Sequence, residues 1–306
     1  MSFSLTILGS SSALPKPDRF TTAHVLNAHE RFFLIDCGEG TQIQLRRFKI
    51  RFGRIHNIFI THLHGDHFFG LPGVLSSFNL MGRKVPLNVY GPDKLEQIII
   101  GMYETMGEEL NYEVIFNKVN FNKSELILDT DKLSVTSVPL KHKIPSVGYI
   151  FREKEKLRKI SRDLVDELGL GVKEIIHLKS GQDVIRTDGT VLKSSELTSP
   201  AADPSSYAFI SDTRYSEVIV PLIQGVDLLY HEATYLDEMK RRAKETGHST
   251  AAEAAKIAKL AGVGKLVIGH FSARYKNSLP LLKEAREIFP ETIAAEDGLC
   301  IDVNNS

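Results

Sequence analysis

The sequence predicts an α/β layered domain. Three observations carry this reading: short apolar, β-rich runs recur along the whole chain, helical segments lie between several of them, and several runs are almost continuously apolar. Strands covered on both faces read that way. Mixed strands and helices spread evenly along a chain point to layers around a sheet core.

Taken in order, the strand-like runs are "SLTILG", "ERFFLID", "HNIFIT", "LNVYG", "KLSVTSVPL", "YAFISD", "VDLLYHE", "KLVIGH" and "GLCIDV". The first helix is expected over 41–48, opened by Thr41 as a cap. The second runs over 71–81, with Pro72 in its first turn, Leu71, Val74, Leu75 and Phe78 at helical spacing, and a stop at Gly82. The third spans 92–106, beginning at Pro92 and repeating Leu95, Ile98, Ile99 and Met102. The last covers 250–261, where Thr250 and Glu253 form a capping box and Gly262 ends the helix.

The chain of 306 residues suits one large domain or two small ones. Composition is 42% hydrophobic and 25% charged, as in ordinary globular proteins. No apolar run is long enough to span a membrane, and "MSFSLTILGSSSALP" lacks the basic and apolar regions of a signal peptide. With only Cys37 and Cys300, a disulfide framework is not expected and a reducing cytoplasm is. Net formal charge is zero, so bulk charge announces no nucleic-acid partner, though a local basic patch could serve one.

One stretch breaks the pattern. Residues 152–179 hold eight Lys/Arg and six Asp/Glu, and Leu157, Ile160, Leu164, Val165 and Leu168 suggest a short amphipathic helix. The stretch lies between strand-like "VGYIF" and "YAFISD", so it reads as an excursion from one domain that spans 1–306.

The chemistry concentrates in "THLHGDHFFG", residues 61–70, which holds His62, His64, Asp66 and His67. His142, Asp212, His231 and His270 likewise stand at or just after strand-like runs, where a rigid sheet aims side chains into one crevice. A site for two divalent ions needs about seven or eight protein ligands, one of them bridging. Imidazole with carboxylate is the mixture that suits zinc and tolerates manganese or iron. A tight turn at Gly65 can aim His62 and His64 at one ion, and Asp66 and His67 at another. His142, Asp212 and His270 would complete the set.

With "LIDCGEGTQ" at 34–42, "HGDHFFGLPGVLSS" at 64–77, "SDTRY" at 211–215, "HEATY" at 231–235, "HST" at 248–250 and "HFSARY" at 270–275, the chain resembles the metallo-β-lactamase superfamily. Within it, the resemblance is to the tRNA 3′-processing endonucleases of the ribonuclease Z family, and it runs nearly end to end. The H-x-H-x-D-H motif alone gives only the superfamily; "HEAT", "HST" and "SARY" together are more specific.

The resemblance implies an αβ/βα sandwich with an inserted flexible arm. It implies two zinc ions per subunit, with manganese as an alternative: one held by His62, His64 and His142, the other by Asp66, His67 and His270, with Asp212 bridging. It implies hydroxide attack on the phosphodiester that joins a 3′ trailer to precursor tRNA, leaving a 3′-hydroxyl on the tRNA and a 5′-phosphate on the trailer. Asp66 would orient the nucleophile or accept its proton. His248 would protonate the departing oxygen. It precedes a helix N-terminus, which disfavours imidazolium, and Glu232 would offset that. For His231 a supporting role behind the ligands and a buried structural role both stand.

The 152–179 excursion takes the place of the family's tRNA-gripping arm, where Lys154, Lys156, Arg158, Lys159 and Arg162 would neutralise phosphates on an A-form stem. Such arms often carry Gly-Pro near the tip; here Val172 follows Gly171. Arg274 is a phosphate-contact candidate with a structural ion pair as its rival. Lys16 and Arg19 are read as a phosphate contact or a plain surface turn, and Phe68 and Phe69 as base-stacking or core residues. A homodimer is a further implication. The rival functions are another hydrolase of this fold (a small phosphodiesterase, arylsulfatase, lactonase or thioesterase) and a metal-bound binding protein without turnover.

Overall fold

The computed structural model describes residues 3–14 and 16–303. Two seven-stranded sheets form its frame. The first orders its strands Cys300–Asp302, Phe3–Gly9, Ala23–Ala28, Arg31–Ile35, Ile55–Phe59, Leu87–Gly91 and Val114–Lys118. The second runs Thr292–Ala294, Lys265–Gly269, Leu228–Glu232, Ser206–Ile210, Ser146–Glu153, Leu133–Leu140 and Leu126–Asp129.

Period-two alternation sorts the strand residues between layers. Phe33, Ile35 and Phe59 turn into the space between the sheets and meet Tyr149 and Phe151 of the second sheet. Ring centroids lie 5.2 Å apart for Phe59 and Tyr149, and 5.9 Å for Phe33 and Phe151. Each of these aromatics is almost wholly buried, a gain of roughly 2–3 kcal/mol over exposure. Leu34 and Ile58, one residue out of phase, pack outward on Leu45, Val74, Leu75 and Ile99. Those four come from helices Thr41–Arg47, Leu71–Leu80 and Lys94–Met106. Helices Ala251–Ala261 and Leu279–Arg286 cover the outer face of the second sheet. The result is the αβ/βα layering.

The helices fall close to their expected bounds. The third starts at Lys94, two residues inside Pro92. At the last, Thr250 Oγ1 accepts from Glu253 N (3.2 Å) and the Glu253 carboxylate accepts from Thr250 N (3.1 Å). The expected capping box is therefore formed, and Gly262 ends the helix with φ of 59°.

The chain divides into two compact units: residues 1–152 with 205–306, and Glu153–Pro204. The second is longer than the excursion read over 152–179. Its small core joins Leu170 and Leu178 to Leu192, with Ile160, Val165, Val184 and Leu197 packed around them. A third of that core, Val184, Leu192 and Leu197, lies beyond the charged stretch, where strands Val184–Ile185 and Val191–Leu192 and helix Ser194–Leu197 are too short to leave a periodic signal. Of the amphipathic helix expected from Leu157 to Leu168 only Arg162–Glu167 is helical, and a second helix, Val172–Lys179, follows it. Gly171 precedes the latter, and its N–H donates to Glu174 (2.7 Å).

Candidate metal centre

Parallel pairing brings the site together. Strands Ser206–Ile210, Leu228–Glu232 and Lys265–Gly269 are parallel neighbours, so Asp212, Glu232 and His270 emerge at one end of the second sheet. Strands Arg31–Ile35 and Ile55–Phe59 are also parallel, which puts Asp36 beside the segment leading to His62. The turn expected at Gly65 is one helical turn, Gly65–Phe68, with His64 at its start. Backbone pairs Cys37 N to His67 O (2.7 Å) and Gly70 N to Cys37 O (2.9 Å) lash this loop to "DCGEG". A Cβ on Gly70 would overlap the Gly38 carbonyl, so the two glycines allow the close approach.

The seven expected ligands converge. One group joins His62, His64, His142 and Asp212; another joins Asp66, His67 and His270; a third, overlapping both, joins Asp212 and His270 to His248. His64 Nδ1 lies 3.1 Å from the Nε2 atoms of both His62 and His142. Asp66 Oδ2 lies 3.2 Å from His270 Nε2 and 3.3 Å from His67 Nε2. Asp212 stands between the groups. Its Oδ2 is 3.6 and 3.7 Å from His62 and His142, and its Oδ1 is 3.3 and 3.6 Å from His270 and His67.

Residues that sequence reasoning gave no role fix the imidazoles. Asp36 Oδ2 accepts from His67 Nδ1 (2.7 Å) and from the Thr61 hydroxyl (3.0 Å). That hydroxyl, its proton committed, accepts from His62 Nδ1 (3.0 Å). His142 Nδ1 donates to the Gly247 carbonyl (2.7 Å). His270 Nδ1 donates to the Thr234 hydroxyl (2.9 Å), which donates to Glu232 (2.8 Å). Each bond leaves a bare Nε2 aimed at the centre, the second layer that metal-bound histidines need. Asp36 and His270 hold φ of 54° and 59°, a backbone state that costs a non-glycine residue about 1 kcal/mol or more and clusters at functional sites. The signal for Asp36 was its place in "LIDCGEG" at a strand end; the Gly247 carbonyl left none.

This donor set fits a divalent cation. His67 Nε2 and Asp212 Oδ1 are buried without a hydrogen-bond partner. Burial alone would raise the pKa of Asp212, but His270, His67 and His248 hold it well below the usual carboxylate range. Burial likewise lowers His67, yet Asp66, Asp212 and Asp36 push it well above its usual value, drawing positive charge to that ring. His62 is held well below by burial first and by His67 next, so it is neutral and ready to ligate. Asp36→Asn should therefore leave the fold intact and weaken metal affinity about 10–100-fold, read by titration with a competing chelator.

His248 Nδ1 lies 3.1 Å from Glu232 Oε1. Glu232 is wholly buried and also accepts from the backbone N–H groups of Thr213, Thr234 and Ser249. Burial works against the imidazolium, but Glu232 and then Asp212 override it and push the His248 pKa up to about 9. His231 faces away: its Nδ1 lies 2.7 Å from the Glu232 carbonyl and the ring is buried outside both ligand groups.

The other candidates separate. Arg274 is exposed, stacks on Tyr235 at 5.1 Å and donates to Ser272 (3.1 Å); among the described residues it has no carboxylate partner. Lys16 donates to the Tyr275 carbonyl (3.0 Å), and Arg19 lies over Phe271. Phe68 is core and Phe69 is 60% exposed, because one helical turn points them apart. In the smaller unit, Lys154, Lys159 and Arg162 are exposed. Lys156 is tied to Glu153 (2.7 Å) and Arg158 to the Thr198 carbonyl (3.0 Å), so these two charges serve partners within the unit.

The layers and the two ligand groups at their shared edge define a metallo-β-lactamase-fold hydrolase that binds divalent metal. A family model described as "Anti-Pycsar protein Apyc1" matches residues 3–167. The chain is 46% identical to ribonuclease Z of Bacteroides thetaiotaomicron, over 99% of this chain and 96% of that protein. It is also 46% identical to ribonuclease Z of Cytophaga hutchinsonii, over 97% and 95%. The crystal structure of human tRNase Z, short form, matches with a TM-score of 0.72 and 30% identity, covering 98% of this chain and 99% of that one. The metallo-β-lactamase-fold protein YhfI of Bacillus subtilis, 17% identical with a TM-score of 0.69, shares the fold. The chain belongs to the ribonuclease Z family.

Proposed function

We infer that the chain is a metal-dependent endoribonuclease that removes the 3′ trailer from tRNA precursors. Family membership and the His/Asp cluster support this reading. The observation that carries the chemistry is Asp212, whose two oxygens face two separate ligand groups.

On that basis His62, His64 and His142 would hold one ion, Asp66, His67 and His270 would hold a second, and Asp212 would serve both. Neutral imidazoles with carboxylates favour zinc, and manganese is the alternative. Two ions so held would lower the pKa of a water and stabilise the attacking and leaving oxygens of an in-line displacement. Asp66 orients the attacking water and takes its proton. His248, protonated at neutral pH and fixed through Nδ1 by Glu232, delivers a proton from Nε2 to the ribose 3′-oxygen as it leaves. The products are a tRNA 3′-hydroxyl and a trailer 5′-phosphate.

The 153–204 unit serves as the tRNA arm, with exposed Lys154, Lys159 and Arg162 on phosphates and Arg274 contacting the backbone nearer the site. Deleting Glu153–Pro204 should lower kcat/KM on precursor tRNA by at least about a hundredfold while sparing hydrolysis of a small phosphodiester. Equal loss on both substrates would reject the assignment. A homodimer in the cytoplasm completes the proposal. Ile43, Leu80, Met81, Ile98 and Met102, exposed on the helical layer over the first sheet, support the dimer. The low cysteine count fits a reducing compartment, and no helix of the described residues is long and apolar enough to cross a membrane.

The deciding experiment is cleavage of a tRNA precursor with a 3′ trailer beside an unstructured RNA of equal length, with zinc or manganese. Selective cutting at the base of the acceptor stem is expected. Turnover of small phosphodiesters without tRNA cleavage would move the substrate to another hydrolase class.

A further inference from the structure

A cleft of about 1110 Å³ opens beside the metal ligands, and every residue lining it belongs to the larger unit. His64 and His142 stand at its inner end. Its outer wall includes the loop that leaves Val114–Lys118, the edge strand of the first sheet, and runs to Leu126–Asp129, the edge strand of the second. Asn120 Oδ1 accepts from the Asn122 and Lys123 N–H groups, which fixes that loop as a turn.

Lys94, Lys118 and Lys143 line the cleft with exposed side chains. Among the described residues no carboxylate forms an ion pair with any of them. Two carboxylates also line it: that of Glu125 already takes the Asn120 N–H (3.3 Å) and Lys123 (3.6 Å), and exposed Asp93 alone faces the three lysines, so the cleft stays positive. Phe121 and Ile144 add half-buried apolar surface. Free cations around an aromatic face are what a single strand of nucleic acid needs: cations for its phosphates and a ring on which a base stacks.

We propose that this cleft is the subsite for the first unpaired nucleotides of the trailer, on the 5′-phosphate side of the cut. The inference rests on the endoribonuclease reading above and adds a place for the product that leaves. Two features assign the trailer, not the tRNA body. His248, which serves the 3′-oxygen of the tRNA, is absent from the lining, so the cleft takes the nucleotide on the other side of the phosphorus. The cleft is also only slightly larger than the roughly 300–1,000 Å³ of a small-ligand pocket, which suits a few unstacked nucleotides and not a duplex stem.

The test compares two precursors of the same tRNA, one with a single-nucleotide trailer and one with a trailer of several nucleotides. The triple variant Lys94→Ala, Lys118→Ala, Lys143→Ala is assayed on both. On the long trailer KM should rise about tenfold or more with kcat held, and the log–log salt dependence of kcat/KM should flatten by about 2, near 0.7 per lost lysine–phosphate contact. The single-nucleotide trailer places its base in the cleft but has no phosphate beyond the scissile one for the three lysines, so it should be cut within about threefold of the wild-type rate, which also shows that the variant is folded. Equal change on both precursors, or none on either, overturns the subsite. A photoreactive base placed at the first trailer position should crosslink to the 118–122 loop; crosslinking there from the last tRNA nucleotide instead would reverse the assignment and reject it. If the wild type cuts neither precursor, the endoribonuclease reading fails and the subsite fails with it. If the wild type cuts both and the variant matches it throughout, only the subsite fails.

Discussion

Asp212→Ala should lower kcat on precursor tRNA by at least about a thousandfold, a barrier increase on the order of 4 kcal/mol. Among the described residues no other carboxylate stands in both ligand groups' reach. Oδ1 faces His67 and His270, and Oδ2 faces His62 and His142. Removing it takes a ligand from both groups at once. It also deletes the negative charge that the surrounding histidines stabilise. Metal content should fall together with activity, and excess zinc or manganese should not restore the rate. Elemental analysis of dialysed protein beside single-turnover cleavage reads both. Activity within about tenfold of wild type at saturating metal would reject the bridging role and, with it, the two-ion reading.

His248→Ala should act differently. Its Nδ1 meets Glu232 and lies 3.8 Å from Asp212; the ring could also join Asp212 and His270 around an ion, but both of those belong to the two groups already described, so each group is complete without it. Metal content should stay at the wild-type level. The kcat on precursor tRNA should fall about 10²–10⁴-fold, the usual contribution of a positioned general acid. A ribose 3′-oxygen is a poor leaving group and needs the proton. A p-nitrophenolate does not, so the variant should hydrolyse bis(p-nitrophenyl) phosphate at close to the wild-type rate. Equal losses on both substrates would assign His248 to site architecture and not to proton delivery. Glu232→Gln should reproduce part of the effect. It removes the charge that holds the imidazolium while keeping an acceptor for Ser249 N.

Much of this site is readable along the chain because the groups that do the chemistry are side chains at strand ends. H-x-H-x-D-H packs four of the ligands into six residues, and a short apolar run before each of the others marks the strand that delivers it. The capping box at Thr250 and Glu253 is equally local, since a helix start is decided within one turn. The extent of the smaller unit was not readable. Charge density marked residues 152–179, but the unit closes on Leu192 and Leu197, further along the chain. The fate of the arm cations was not readable either: Arg158 reads as a phosphate ligand until folding brings Thr198 to it.

The sequence by itself determined the α/β layers, the family and the histidines and aspartates that the fold gathers as candidate metal ligands, because each is written in local spacing and residue chemistry. The tertiary structure alone decided which nitrogen each histidine presents. It set Asp36 against His67 across 31 residues, the Gly247 carbonyl against His142 across 105, and the Lys-lined cleft where the edge strands of two sheets meet. The physical reason is that these contacts join groups far apart in the chain, and one of them is a backbone carbonyl. Only the packing of the sheets fixes such distances, and no periodicity or motif records them.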